Sequence, residues 1–256
     1  MKAEATSNQT AEETTQEELL DSQPFMSHLI EFRDRVLRSV VAVLVVFIGL
    51  FSFSEELYLY VSEPIREYLP TSSTMIATEV ASPFLTPFKL TLVLSLFAAM
   101  PFILYQAWAF LAPGLYQREK RIVVPLFISS VLLFYGGMAF AYYIVFPLVF
   151  MFFTSIAPEG ISVMPDIRSY LDFVLKLFFA FGISFEIPIA VVILSWMGAV
   201  DPDNLVKKRP YVFVMCFILG MLLTPPDIIS QVLLAIPMWL LFELGILFGR
   251  MVKPKG

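Results

Sequence analysis

Two carboxylates stand in basic surroundings next to long apolar stretches. Glu31 precedes the first apolar run and is followed by Arg33 and Arg35, whereas Glu119 lies in a short charged segment flanked by three cations, among them Arg121. A carboxylate pairs bidentately with the planar guanidinium of arginine. Two such carboxylates on one membrane face predict a receptor for a doubly positive ligand. The alternative is a set of ordinary solvated ion pairs, of which an i,i+4 pair such as Glu31 with Arg35 contributes about 0.2–0.5 kcal/mol.

A third carboxylate lies inside an apolar segment. Glu186 occupies the sequence Phe181 to Pro188, in the middle of the fourth long apolar run. A charge at this depth costs about 2.5–3.5 kcal/mol on insertion scales, so the side chain should face the protein interior or a wet cavity, or be protonated. A functional role is the default hypothesis. The alternative is a structural hydrogen bond to a backbone carbonyl freed by Pro188. Glu243, nearer the end of the last run, is interpreted as structural.

The residue inventory argues against an enzyme. His28 is the single histidine, which excludes H-E-x-x-H zinc sites and Ser-His dyads within this chain. No G-x-x-x-x-G-K-[ST] loop for ATP occurs, and no Asp lies deep in an apolar run. We therefore expect no catalytic site, no bound metal and no cofactor. The lone Cys216 lies in an apolar run and is interpreted as a packing residue.

The composition is typical of a polytopic membrane protein. Hydrophobic residues make up 58% and charged residues 15% of the 256 residues, compared with roughly 45–50% and about 25% in soluble proteins. About 20 apolar residues are needed to cross the hydrocarbon core. We predict an all-α fold with six transmembrane helices, the last two short, kinked by prolines into a concave wall. The predicted spans are about Val36–Phe53, Phe88–Ala112, Ile122–Phe153, Leu171–Met197, Tyr211–Leu223 and Ile228–Phe248.

Two segments leave alternatives open. The fifth run has about 13 clearly apolar residues, or roughly 20 Å of helix, which is short of the roughly 30 Å core. The fifth and sixth runs either form a re-entrant hairpin or cross a locally thinned bilayer, and the length of the sixth favours two crossings. Earlier in the chain, the stretch Glu55–Val61 predicts an amphipathic surface helix that ends at Pro64.

The distribution of Lys and Arg predicts the orientation. With six spans, 13 of the 17 basic residues fall on the side of the termini, and only Arg66, Lys89, Arg168 and Lys176 fall on the other. This asymmetry places both termini in the cytoplasm of a multi-pass protein of the cytoplasmic (inner) membrane. Residues 1–24 are predicted to form a disordered acidic cytoplasmic tail, because they are rich in Thr, Gln and Glu. Residues 25–250 would form the six-span domain, and residues 251–256 a second cytoplasmic tail.

Five motifs in order resemble one family. The stretch Ser27–Arg35 resembles the amino-terminal H-L-x-E-L-R-x-R-L signature of TatC, the multispanning core of the twin-arginine protein translocase, with Phe32 where Leu is usual. The other four matching stretches are Ser73–Phe84, similar to the first outer loop, Pro101–Arg121, similar to the first inner loop, and the later signatures Phe185–Pro188 and Thr224–Gln231. The resemblance covers about residues 25 to 250.

The resemblance implies a function and a set of site residues. Proteins of this family recognise signal peptides with paired arginines and start the export of folded proteins, driven by the proton-motive force. The implied partners are these peptides, single-span TatA-like and TatB-like subunits, further copies of the chain and membrane lipid, but no nucleic acid. The resemblance implies that Glu31, Glu119, Phe110 and Leu115 bind the signal peptide, and that Arg33 and Arg121 hold the carboxylates ionised. It also implies that Met221, Thr224 and Gln231 bind the partner subunits. Pro64 and Phe84 would shape the outer cap, and Glu186 would line the concave face.

A second interpretation belongs to another class. A small-solute or ion secondary transporter would use Glu186 as its coupling site. The sequence shows no obvious inverted repeat and few deeply placed charges, both of which argue against this alternative. Substrate-dependent proton flux in vesicles that contain this chain alone would favour the transporter.

Overall fold

The protein is all-α, as predicted. The computed structural model describes residues 26, 29–68, 74–111, 120–155, 164–223 and 228–252. Within these ranges the only β structure is one isolated parallel bridge between Ile76 and Asp166. The helices are α1 (29–50), α2 (Ser54–Tyr68), α3 (Ser82–Ala98), α4 (Met100–Leu111), α5 (Lys120–Phe140), α6 (Phe146–Ser155), α7 (Ile167–Trp196), α8 (Pro202–Lys207), α9 (Arg209–Leu223) and α10 (Ile228–Val252). The predicted tail of residues 1–24 lies outside the described residues.

The first helix continues into the second through a short 3-10 turn. The continuous helical stretch Leu29–Glu67 is 39 residues long, and its most apolar window contains no buried residue. The prediction that the surface helix ends at Pro64 is wrong, because α2 runs on to Tyr68. A proline cannot donate to the carbonyl four residues earlier, here that of Tyr60. The Tyr142 hydroxyl donates to this carbonyl over 2.9 Å and so replaces the missing backbone donor.

Two of the predicted spans are interrupted. Helices α3 and α4 meet at an angle of 49° next to Ala99, where Pro101 begins the second segment and supplies one of the predicted kinks. Helices α5 and α6 are joined by the π-helical turn Ala141–Val145, and together they contain an apolar helical stretch of 33 residues, Val123–Ser155. As predicted, this stretch is longer than one crossing needs.

Helix α7 lies at the centre of the fold. It is 30 residues long and packs mainly on α10 and α5, with a smaller contact to α3. Its contact with α5 depends on two glycines. A Cβ atom on Gly137 would lie 2.5 Å from the Phe181 carbonyl oxygen, and one on Gly182 would lie 2.7 Å from the Phe134 ring. Small residues at these positions let the two backbones approach closely, as is usual in membrane helix pairs.

Phenylalanine rings fill the space around α7. The ring of Phe97 from α3 lies with its centroid 4.8 Å from Phe179 and 6.0 Å from both Phe134 and Phe178. Phe97 and Phe134 are almost fully buried. Aromatic pairs in tilted and edge arrangements add about 0.5–1.5 kcal/mol each beyond the buried area. The cluster joins α3, α5 and α7 into one unit.

A small hydrogen-bonded structure joins two loops at one end of the bundle. The Ile76 amide donates to the Pro165 carbonyl over 3.1 Å, and the Ile167 amide donates to the Ile76 carbonyl over 2.9 Å. Asp166 caps α7 and also accepts from the amide and the hydroxyl of Thr78, at 3.0 and 2.7 Å. We call residues 76–79 with 165–168 the clasp. These hydrogen bonds hold the pKa of the Asp166 carboxyl well below its usual range.

The last two helices differ in length. Helix α9 has 15 residues, or about 22 Å, as expected for a short fifth segment. Helix α10 has 25 residues, or about 37 Å, so the expectation that both last helices are short holds only for α9. By length and composition the described helices supply four single spans, or five when α3 and α4 count as one. A total of six spans therefore requires that the shorter apolar helix α9, the predicted fifth span, also crosses the membrane.

Candidate functional site

Glu31 lies at the beginning of α1 and already holds a guanidinium. Arg35 donates to Glu31 Oε1 from Nε at 2.9 Å and from Nη2 at 2.6 Å, as the i,i+4 spacing predicts. Arg35 also donates from Nη1 to Oε1 of Gln106, a buried residue of α4, over 3.2 Å. Within the described part of the chain Glu31 Oε2 makes no hydrogen bond, and the side chain is 40% exposed. Glu31 therefore retains the capacity to accept a second donor.

The Arg33 side chain does not contact Glu31, as its predicted role of holding that carboxylate ionised would require. Its Nε and Nη2 atoms donate to Asp34 Oδ1 at 2.9 and 2.7 Å. Residues two apart on a helix do not face each other, so that Arg35, rather than Arg33, is the cation beside Glu31. Arg33 is 65% exposed and so remains open to solvent.

An apolar groove of about 570 Å³ runs between α1 and the α3–α4 pair. Phe110 and Phe32 form one end, where their ring centroids lie 5.4 Å apart. Arg35 and Gln106 line this same end, and the walls further along are aliphatic, with Val40 from α1 and Leu96 from α3 among them. The structure thus places the predicted Phe110 and Glu31 at neighbouring points, with the groove leading away from them.

The second predicted carboxylate cannot be compared in the same way. Glu119 and Leu115 lie outside the described residues, and Arg121 belongs to the first turn of α5. Thr224, predicted for partner binding, also lies outside them. The roles assigned to these residues stay predictions.

Glu186 is held by one hydrogen bond within the α5–α7 interface. The buried hydroxyl of Ser130 on α5 donates to Glu186 Oε2 over 2.6 Å. The other oxygen, Oε1, is buried and has no hydrogen-bond partner among the described residues. The partner is therefore a side chain rather than the backbone carbonyl near Pro188 that the structural alternative invoked. A buried acceptor without a donor carries a desolvation cost, and this cost marks Glu186 as the unusual polar group of the interface.

Two of the three predicted partner-binding residues, Met221 and Gln231, lie on α9 and α10. Gln231 donates from Nε2 to the Phe217 carbonyl over 2.8 Å, so that its amide joins the two helices. Met221 is 51% exposed on α9. Of the predicted outer-cap residues, Pro64 is buried inside α2, whereas Phe84 is 69% exposed near the start of α3.

Three polar contacts were missed by sequence reasoning. Gln106, Ser130 and the ion pair between Arg209 and Glu243 all connect positions far apart in the chain. Each involves a polar residue in or beside an apolar run, and this pattern is the signal that could have identified it. Within the described ranges no three His, Cys, Asp or Glu side chains form a group that could hold a metal ion.

Comparisons with known proteins agree on one family. A family model described as Sec-independent protein translocase protein (TatC) matches residues 27–237. The TatC protein of Azotobacter chroococcum mcd 1 is 61% identical over 232 residues, covering 91% of each chain. That of Escherichia coli (strain K12) is 58% identical over 236 residues, covering 92% of each. A crystal structure described as the twin arginine translocase receptor TatC matches with a TM-score of 0.80 and 36% identity, over 88% of this chain and 99% of that one.

Proposed function

Because this chain belongs to the TatC family of Sec-independent protein translocase proteins, we propose that Glu31 and Glu119 together bind the paired arginines of a signal peptide. The chain is a multi-pass membrane component of the twin-arginine translocase, and the family assignment gives no support to the alternative of a secondary transporter.

The observation that carries the proposal is the occupied state of Glu31. Its carboxylate accepts two N–H groups of the Arg35 guanidinium, while its second oxygen accepts none from the residues that the structure describes. A site that holds one arginine in this geometry can hold another, because guanidinium and carboxylate match in shape. Lysine offers a single ammonium in place of the fork, so a paired-lysine peptide binds more weakly.

The apolar groove supports the same assignment. It begins at Arg35, Gln106 and Phe110, beside Glu31, and its remaining walls are apolar. A peptide whose arginines reach Glu31 has its following apolar residues at the mouth of this groove. Burial of apolar surface there adds about 25 cal/mol per Å², which compensates for the repulsion between the incoming arginines and the neighbouring cations.

The remaining roles follow from the family and the charge count. Both termini lie in the cytoplasm, as the excess of Lys and Arg on their side indicates. Met221, Thr224 and Gln231 contact single-span TatA-like and TatB-like subunits, and the exposure of Met221 supports this surface. Transport is driven by the proton-motive force, and the chain acts as a receptor rather than as an enzyme.

Peptide binding to the protein in nanodiscs tests the proposal. A paired-arginine signal peptide is compared with its paired-lysine form on the wild type, Glu31→Ala and Glu119→Ala. Loss of charge-assisted hydrogen bonds worth about 1.5–3 kcal/mol should weaken binding about tenfold or more. Asp34→Ala is the matched control, since Asp34 is engaged by Arg33 on the same turn of α1. Equal binding by all variants and by both peptides would remove the assignment of the carboxylates.

A further inference from the structure

A second cavity combines charges with an aliphatic surface. It has a volume of about 430 Å³ and lies between the beginning of α9 and the second half of α10. Arg209, Glu243 and Arg250 supply its polar lining, and the rest is formed by aliphatic side chains of α10. The cavity is separate from the groove beside Glu31, with which it shares no lining residue.

The arginines of this cavity have unused donors. Arg209 bonds Glu243 through Nη2, and its Nε is buried without a partner among the described residues. Arg250 donates from Nε and Nη2 to Asp203 Oδ1 at 3.2 and 2.9 Å, and its Nη1 group donates to no acceptor within the described ranges. A guanidinium carries five N–H donors. Both side chains are about half exposed, at 43% and 49%. An acceptor with several anionic oxygens fits this arrangement.

The local charge is positive. Residues 201–209 and 240–250 contain four cations, Lys207, Lys208, Arg209 and Arg250, against three carboxylates, Asp201, Asp203 and Glu243. The excess is therefore one positive charge. It lies on the side that the Lys and Arg count assigns to the cytoplasm, and basic pockets between helices on that side attract the head groups of anionic lipids.

The aliphatic part of the cavity has the depth of one leaflet. Leu240, Leu244 and Leu247 follow each other at helical spacing on α10 and are 49%, 44% and 55% exposed. Leu240 lies ten residues before Arg250 on α10, and thus about 15 Å along the helix. Half of the hydrocarbon core measures roughly 15 Å. The stripe of leucines below the arginines therefore matches an acyl chain below its phosphate.

We propose that this cavity binds an anionic phospholipid, with the phosphate at Arg209 and Arg250 and an acyl chain along the leucine stripe of α10. The occupant follows from the combination of an excess positive charge, guanidinium donors that no described residue engages, and an aliphatic surface one leaflet deep. Phosphate is the group that arginine forks bind bidentately. This inference does not depend on signal-peptide recognition, and its failure would leave the role of Glu31 untouched.

Native mass spectrometry of the purified full-length protein tests the proposal. Phosphatidylglycerol and phosphatidylcholine are titrated in detergent, and retention of the first lipid adduct is measured for each. Wild type should retain phosphatidylglycerol about tenfold better, since only this lipid has a net negative charge that the excess cation can compensate. Equal retention of both lipids would overturn the proposal.

Two variants separate the head-group contact from the acyl contact. Arg250→Gln should reduce phosphatidylglycerol retention toward that of phosphatidylcholine, whereas Leu244→Trp, which fills the cavity, should reduce retention of both. Arg168→Gln is the matched control, because Arg168 is a similarly exposed ion-paired arginine outside this cavity. Unchanged retention in both cavity variants, each shown to be folded by its thermal transition, would overturn the proposal. The proposal would also be overturned if the variants retained the lipid as well as wild type does but no longer bound single-span subunits.

Discussion

Gln106 Oε1 accepts a hydrogen bond from Arg35 Nη1 across 71 positions of the chain, at a distance of 3.2 Å. The guanidinium that covers Glu31 is thus also held from α4. An incoming arginine meets a carboxylate that is already shared, and Gln106 keeps Arg35 engaged when Glu31 is taken by the ligand.

Replacing Arg35 is expected to strengthen peptide binding modestly. The Arg35→Gln variant removes an ion pair that contributes about 0.2–0.5 kcal/mol, so affinity for a paired-arginine peptide should rise about twofold. Fluorescence anisotropy with a labelled peptide in nanodiscs measures the change. Arg38→Gln removes the same charge one turn further along α1 and should not raise the affinity. Weaker binding for Arg35→Gln alone would show that Arg35 positions Glu31 instead of competing with the ligand.

Alanine substitutions at two adjacent glycines of α5 should have different effects on the stability of the protein. A Cβ on Gly137 would lie 2.5 Å from the Phe181 carbonyl oxygen, whereas one on Gly136 meets nothing within 4 Å. Gly137→Ala must separate α5 from α7 and should destabilise the protein by about 1–3 kcal/mol. Gly136→Ala should be neutral, or stabilising by up to about 1 kcal/mol through its helix propensity. Thermal unfolding in detergent compares them, and equal transitions would contradict the close contact.

Ser130 is expected to stabilise the α5–α7 interface through Glu186. Ser130→Ala leaves Glu186 Oε2 without its donor and should cost about 1–3 kcal/mol. Ser155→Ala is the control, because this hydroxyl donates to the Phe152 carbonyl at the exposed end of α6. A thermal transition unchanged by Ser130→Ala would mean that water replaces the hydroxyl at no cost.

The clasp should weaken in acid. The Asp166 pKa is lowered in the folded protein by its hydrogen bonds to Ser169 and Thr78, so its contribution is present above the pKa of the unfolded chain, about 4, and is lost as the pH falls further. Asp166→Asn should lower the transition temperature at pH 7. The difference in transition temperature between Asp166→Asn and wild type should narrow as the pH falls from about 5 towards 2.

Glu79→Gln provides the comparison for the clasp. It removes an exposed ion pair with Arg168 at the same end of α7, and such pairs contribute about 0–1 kcal/mol. Its transition temperature should therefore stay close to that of wild type. A gap between wild type and Asp166→Asn that is constant with pH would refute the assignment to the ionised carboxylate.

Hydropathy and helix periodicity predicted much of the fold and one ion pair at the candidate site. The all-α architecture and the pairing of Glu31 with Arg35 depend on residues close in sequence, and both are confirmed. By length and composition the described helices supply four or five of the six predicted spans. The path of α2 beyond Pro64 was not predictable, because the donor that replaces its missing amide comes from Tyr142, 78 residues further along. For the same reason the sequence did not identify Gln106 or Ser130 as partners of Arg35 and Glu186. The length of α10 was underestimated because Arg250 was assigned to the segment that follows the helix. In the structure Arg250 belongs to α10.

The clasp can form only late in the synthesis of the chain. Thr78 and Asp166 are 88 positions apart, so the loop before α3 has no partner until α3 to α6 have been made and the start of α7 has emerged. At about 5–20 residues per second, this interval lasts on the order of 4–18 seconds. During that time the hydrogen bonds of the clasp cannot form, and the nascent chain depends on the membrane and on α1 to α6 alone to keep the loop in place.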